Sequence, residues 1–126
     1  MKLSAHFSRS EFRCKCGFCD KSTADARLVY ELENCRAHFK ELYDNVSIRI
    51  TSGHRCINHN KKEGGAEGSK HLDGLAADFV VNGVSADEVA EWLESENPDQ
   101  YGIGRYTGRT HLDVRTNKAR WDRRGM

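Results

Sequence analysis

Between Ala24 and Tyr43 the apolar positions Leu28, Val29, Leu32, Cys35, Phe39, Leu42 and Tyr43 recur at the three-and-four spacing of one helix face. No Gly or Pro interrupts the stretch, so a long helix is predicted over it. The period then changes to two: in VSIRIT, 46–51, Val46, Ile48 and Ile50 alternate with polar residues, as on a strand with one buried face. SGHRCINHNKKEGGAEGS follows, polar and glycine-rich, and reads as a long loop of the kind that carries function in a compact domain. LAADFVV, 75–81, is short and apolar, and is expected to be a central strand. Ser85 opens a second helix, with Glu88 completing a capping box, and Asn97-Pro98 ends it. GIGRY and THLDVR, split by Thr107-Gly108, read as a hairpin. Residues 1–22 look irregular, anchored by Phe7, Phe12 and Phe18. The fold class these elements predict is α+β, a small, largely antiparallel sheet packed with two main helices.

At 126 residues the chain suits a single domain, 1–126, with one core. Hydrophobic content of 37% beside 31% charged residues fits a soluble globular protein rather than a disordered or membrane one. A formal net charge of +1 supplies no global field for nucleic acid, and none is expected as a partner. Arg115, Lys118, Arg120, Arg123 and Arg124 form one basic run near the end, expected to be a solvated tail, with attraction to an anionic polymer as the sharper alternative. No apolar run reaches the ~18 residues a membrane span needs, so no membrane insertion is expected. MKLSAHFSRSEF lacks the apolar core of a secretory signal, which predicts cytoplasmic synthesis without a signal peptide. The chain is expected to be a monomer.

The five cysteines are Cys14, Cys16, Cys19, Cys35 and Cys56, an odd number that excludes complete internal pairing. Three fall in CKCGFC, where closely spaced thiolates can share a zinc ion or form an oxidised pair. A structural zinc site wants a fourth ligand, and no second CxxC offers one. Reduced thiols, or a disulfide to Cys35 or Cys56, are equally open.

Two other stretches carry chemistry. In LAADFVV an aspartate, Asp78, interrupts an apolar strand, a costly placement unless it is paired or bound to a cation. Strand alternation sets Ala76, Asp78 and Val80 on one face against Ala77, Phe79 and Val81. In THLDVR it sets His111, Asp113 and Arg115 against Leu112 and Val114. If the two strands are neighbours, Asp78 and His111 can point to a common centre, with His71 closing the triad from the loop. Two imidazoles and a carboxylate favour zinc and leave a position for water. The plainer alternative has Asp78 in a salt bridge to Arg55 or Arg115 and the histidines as ordinary surface or core residues.

SEFRCKCG (10–17), ITSGHRCINHN (50–60), GGAEGSKHLDGLAADF (64–79) and YGIGRYTGRTHLDVR (101–115) together resemble the zinc D-Ala-D-Ala carboxypeptidase-type peptidases. The resemblance is to their small single-domain branch from bacteriophages and bacteria, related in fold to the hedgehog signalling domain. It covers nearly the whole chain, in order, and the combination SGxR, SxHxxGxAxD and HxD is more specific than any part. It implies a hedgehog-like, D,D-peptidase-like fold with His71, Asp78 and His111 as zinc ligands. It also implies a peptidoglycan peptide as substrate, cut at a bond next to a D-amino acid or within the stem, as an endolysin does. With no signal segment, such a protein is expected to reach the wall through phage lysis or a virion. Arg55 is implied to contact substrate near the metal, with Ser52 supporting its loop. Several relatives carry an acid three positions before the last His ligand, where this chain has Gly108. Asp113 is then the expected general base, with a role orienting a ligand or pairing with Arg115 as its alternative. Glu67, His54 and His59 are further candidates. The same departure supports a different class, a metal-binding phage structural or wall-binding protein without turnover.

Overall fold

A computed structural model describes all 126 residues. The long helix α1 runs Ala26–Leu42, started by Asp25, whose carboxylate accepts the Arg27 N–H. It buries Leu28, Val29, Leu32, Cys35 and Phe39, as its spacing predicts. Leu42 and Tyr43 are exposed at 59% and 37%, so the apolar face ends a turn earlier than expected. Tyr43 instead donates its hydroxyl to the Glu88 carboxylate.

The strands are β1 (Ser47–Ser52), β2 (Ala76–Asn82), β3 (Gly102–Tyr106), β4 (Arg109–Asp113) and β5 (Ala119–Asp122). They form one sheet in the order β1-β2-β4-β3-β5. The β1–β2, β2–β4 and β3–β4 pairs are antiparallel, and only β5 lies parallel to its neighbour β3. The sheet is thus largely antiparallel, and β2 is an interior strand. The hairpin turns at Thr107-Gly108, where Gly108 has a φ of +78°, a conformation glycine adopts without strain. Helix α3 (Ala86–Glu96) begins at Ser85, whose hydroxyl accepts the Glu88 N–H, and stops before Pro98. The architecture is α+β.

Eighteen buried residues make one core, drawn mainly from α1, α3 and one face of the sheet, with Phe7 and Phe12 from the N-terminal segment. Ala77, Phe79 and Val81 of β2 join Leu112 and Val114 in it. Alternation therefore turns Asp78, His111 and Asp113 to the other face, away from α1 and α3.

Three expectations are corrected. Phe18 is no anchor: it is 94% exposed, at the tip of a turn folded around the Cys16 sulfur. The glycine-rich stretch is not all loop, for Ile57–Lys62 forms a short helix, α2. Its N-terminus is capped by the Cys56 sulfur rather than announced by apolar periodicity. There are accordingly three α-helices, the third being this single short one. The basic run is not a solvated tail. It folds back as β5, with Arg120 donating to the carbonyls of Asn97, Gln100, Tyr101 and Ala119 and Arg124 paired with Asp122 and Asp87.

Core truncation separates this packing from surface effects. Leu32→Ala, at a position with no exposed surface, is expected to lower the unfolding free energy by about 2–5 kcal/mol. Tyr30→Ala, 65% exposed on the same helix, should change it by no more than about 0.5 kcal/mol. Urea unfolding followed by circular dichroism measures both.

Candidate metal centre

Register brings the first two groups together. Asp78 on β2 pairs directly with His111 on β4, so their side chains rise side by side from the same face. A bulge in β1 between Ile50 and Ser52 then sets Ser52 opposite Asp78. His71 comes from a 3-10 turn, Lys70–Asp73, which starts at Ser69, whose hydroxyl accepts the His71 N–H. Gly74 closes that turn with a φ of +71°, its α-carbon so close to Thr23 that a side chain would collide. The turn is fixed to the preceding loop by the Arg55 N–H, which donates to the His71 carbonyl at 2.9 Å.

One ligand atom from each of His71, Asp78 and His111 can be chosen so that all lie within 4.8 Å of one another. His71 Nε2 is 3.3 Å and His111 Nδ1 2.9 Å from Asp78 Oδ1. Two donors each about 2.0 Å from a tetrahedral ion stand roughly 3.3 Å apart, so the spacing fits zinc. The outer atoms are arranged to match. His71 Nδ1–H donates to the Gly53 carbonyl at 2.7 Å, which leaves the Nε2 lone pair facing Asp78. His111 turns its other nitrogen, Nε2, to Asp113 Oδ2 at 2.8 Å. All three residues are buried. The residues present fit a zinc ion.

Arg55 is buried and makes three side-chain contacts: Nη2 reaches Asp78 Oδ2 at 3.1 Å, Nε the Ser52 hydroxyl at 2.9 Å and Nη1 the Asn60 side chain at 3.2 Å. The salt bridge weighed as the plainer role of Asp78 is therefore present, on the carboxylate oxygen that the histidines leave free. Asp113 has no exposed surface. Its oxygens take His111 and a two-point contact from Arg115 at 2.7 and 2.8 Å. Gly102 lies against this carboxylate, where any Cβ would overlap it. Elsewhere, His54 uses both ring nitrogens, on the Thr23 N–H and the Leu72 carbonyl. His59 sits on α2 with Nε2 3.4 Å from Glu63. Glu67 is exposed on its loop.

A cavity of about 750 Å³ opens onto the triad. Arg55, Lys70, Arg109, Arg115 and Arg123 line it, against Glu63 and Asp78 as the acids. Lys70, Arg109, Arg123 and Glu63 were missed in the sequence because they come from four separate segments that only the fold brings to one cavity. Trp121 was missed too. Its ring is 4.8 Å from that of His111, its Nε1–H donates to the Tyr106 hydroxyl at 2.8 Å, and it fills the space over Gly104. The signal was available: a glycine inside GIGRY marks close approach by another group.

Electrostatics are set by mutual pairing. Burial alone would raise the Asp78 carboxyl, but hydrogen bonds from His111 and His71 outweigh it and hold the group well below the carboxylate range. Asp113 follows the same logic, with His111 and Arg115 overcoming burial. Burial would lower His111, but Asp113 and Asp78 together raise it. The linkage signs follow. The lowered carboxyls contribute stability above their unfolded value near about 3.9, lost as pH falls through the folded values. The raised imidazole contributes fully below about 6.5 and less as pH rises through its folded value. The contribution of these three groups to the stability of metal-free protein should therefore be largest between roughly pH 4 and 6.5. Against it stands buried His54, lowered by desolvation, whose cost fades as pH rises towards about 6.5. Urea unfolding in chelator across the pH range tests this, and stability still climbing above neutrality would contradict it.

Residues 5–113 match the profile of the family described as Peptidase M15, a span that contains all three triad residues. No curated protein matches the chain. No helix is long and apolar enough to cross a membrane. With a two-imidazole, one-carboxylate triad at zinc spacing and a match over nearly its whole length, the chain belongs to the peptidase M15 family of zinc-dependent metallopeptidases.

Proposed function

We propose that this peptidase hydrolyses peptidoglycan peptides, and that it acts at a bond close to a free carboxylate: a terminal D-Ala or a stem position carrying a carboxyl side group. The observation that carries this reading is the cavity lining, where five cationic side chains surround the triad with Glu63 and Asp78 as the acids. A guanidinium meets a carboxylate in two-point contact, and an ammonium adds charge without that geometry. Lys70, Arg109 and Arg123 are the groups for substrate, because Arg55 and Arg115 are already held by Asp78 and Asp113. Arg55, braced by Ser52, fixes Asp78 and presents its edge to the cavity. A cell-wall site of action, reached through phage lysis or a virion, is part of the same reading.

His71, Asp78 and His111 would hold zinc, which when bound polarises a carbonyl and makes water nucleophilic at neutral pH. Hydrolysis still needs a group that takes a proton from water and returns it to the leaving amine. Asp113 is a weak candidate on geometry: its carboxyl is fully buried, occupied by His111 and Arg115, and lowered far from neutral pH. We assign it instead to positioning His111. Glu63 is the one acid of the cavity besides Asp78, half exposed at the end of α2, and we assign proton transfer to it. Asp113→Asn should then weaken zinc binding about 10–100-fold, while Glu63→Gln keeps zinc and lowers kcat by roughly 10²–10⁴. The reverse pattern would return the proton to Asp113.

A second reading, a metal-binding wall or virion protein without turnover, is favoured by Gly108. The hairpin requires a left-handed residue there, so the position cannot easily carry the acid found in several relatives. Digestion of defined stem peptides, followed by mass spectrometry with and without chelator, separates the two. Release in a chelator-sensitive manner, absent in His71→Ala, supports the peptidase. Zinc-loaded protein that releases nothing beyond that control supports the second reading. Substrate charge is tested by Arg109→Ala. A lost charged hydrogen bond of about 1.5–3 kcal/mol should raise KM at least roughly tenfold for carboxylate-ended peptides and little for their amides.

A further inference from the structure

Cys14, Cys16, Cys19 and Cys56 stand together although the last is remote in sequence, and their sulfurs all lie within 4.8 Å of one another. Cys16 and Cys19 Sγ are 3.5 Å apart. Sulfurs each about 2.3 Å from a tetrahedral zinc ion stand roughly 3.8 Å apart, so the cluster has the size of a four-thiolate cage. The fourth ligand that no second CxxC supplied comes from topology: β1 leads into Cys56 beside the first turn.

The backbone around three of these sulfurs, those of Cys14, Cys16 and Cys56, is arranged for negative charge. Phe18 and Cys19 N–H groups both donate to Cys16 Sγ at 3.3 Å. The Cys56 N–H donates to Cys14 Sγ at 3.3 Å, and the His59 N–H to Cys56 Sγ at 3.4 Å. Gly17, with a φ of +83°, lets the chain wrap Cys16 so tightly. Amide donors converging on sulfur favour thiolates, the form that binds metal. A disulfide would use two sulfurs at a time and give no reason for four to converge. Cys35, by contrast, is alone inside the core, its thiol pushed up to about 12 by burial.

We propose that Cys14, Cys16, Cys19 and Cys56 bind a second zinc ion, structural rather than catalytic because four protein ligands leave no open position. The ion ties the N-terminal segment to the loop that serves the triad. Cys56 follows Arg55, which holds Asp78, and Gly53 supplies the carbonyl that orients His71. Between them, the His54 N–H donates to the Phe12 carbonyl at 2.9 Å, and Gly53 packs on the Phe12 backbone. The cysteine site thus fixes one end of a short bridge, residues 53–56, whose other end packs on Phe12 two residues before Cys14, and on this bridge the first centre is aligned.

The test uses the whole chain, purified under reducing conditions without chelator. Elemental analysis should find two zinc ions per chain in the unaltered protein, one in His71→Ala and one in Cys16→Ser/Cys19→Ser. Because the cysteine variant can fail to fold, the deciding measurement is X-ray absorption on His71→Ala. It should show a sulfur shell at about 2.3 Å. Zinc-free His71→Ala, a nitrogen and oxygen shell, or an intact mass short by a pair of hydrogens for each disulfide would each overturn the proposal. None of these outcomes bears on whether the unaltered protein cleaves peptides.

Discussion

A carboxylate buried in an interior strand is the constraint around which this molecule is built. Asp78 is only 5% exposed and flanked by Ala77 and Phe79 of the core-facing side. An ionised group so placed costs several kcal/mol unless partners surround it. Three do: Arg55 from the loop after β1, His71 from the 3-10 turn, and His111 across the sheet. Each requires its own piece of fold, including the β1 bulge, the glycine-closed turn and the β2–β4 register. A slip of one residue in that register would turn His111 into the core and Leu112 into the cavity. Buried polar clusters of this type seldom add net stability over well-packed apolar residues. Their presence here is better explained by the metal chemistry of the family than by folding energetics.

The parts of this arrangement that were legible in the sequence share one property: they follow from local sequence. Alternation alone assigned Asp78, His111 and Asp113 to one face and Phe79, Leu112 and Val114 to the other, and the sheet has that division. The α1 helix was visible through its own period, whereas α3 showed through its Ser85 cap and Pro98 stop and the β3–β4 hairpin through its Thr107-Gly108 turn. What stayed hidden depends on partners distant in sequence. The α2 helix is one turn and a half, capped by a sulfur, with no apolar stripe to reveal it. The β5 strand pairs parallel with β3, and its charged side chains look like a solvated tail because its stabilising contacts are carbonyls some twenty residues away. Trp121 was the contrary sign in that run, a large apolar ring that an exposed tail would have no use for.

Position 108 shows two demands meeting at one residue. A tight two-residue hairpin needs a backbone with positive φ, which glycine meets at no steric cost. An acid there would serve proton transfer in the manner of several relatives, but would strain the turn that sets the β3–β4 register. That register is also what keeps Gly102 against the Asp113 carboxylate, while the β3–β5 pairing sets Gly104 beneath Trp121. On the proposed reading, the acid function comes from elsewhere on the cavity wall. A good proton acceptor at neutral pH is neither fully buried nor doubly paired with cations. Asp113 fails both conditions, whereas Glu63, at the end of a short helix on the rim, meets them.

That helix also links the two clusters of metal-ligating side chains. Residues 53–56 begin at the carbonyl that orients His71 and end at the sulfur that caps α2, and α2 carries Asn60 against Arg55 and ends at Glu63. Loop residues hold a catalytic geometry poorly unless something outside the loop fixes them. Here residues 53–56 are hydrogen-bonded to Phe12, Thr23, His71 and Asp78, but the helix they lead into is too short to be stable by propensity. An ion held by Cys14, Cys16, Cys19 and Cys56 would supply the missing rigidity through covalent-strength contacts at the start of α2. On this view the cysteines and the histidines serve one purpose from two sides. The thiolates immobilise the segment, and the segment sets the direction in which Arg55, Asn60 and Glu63 face the cavity.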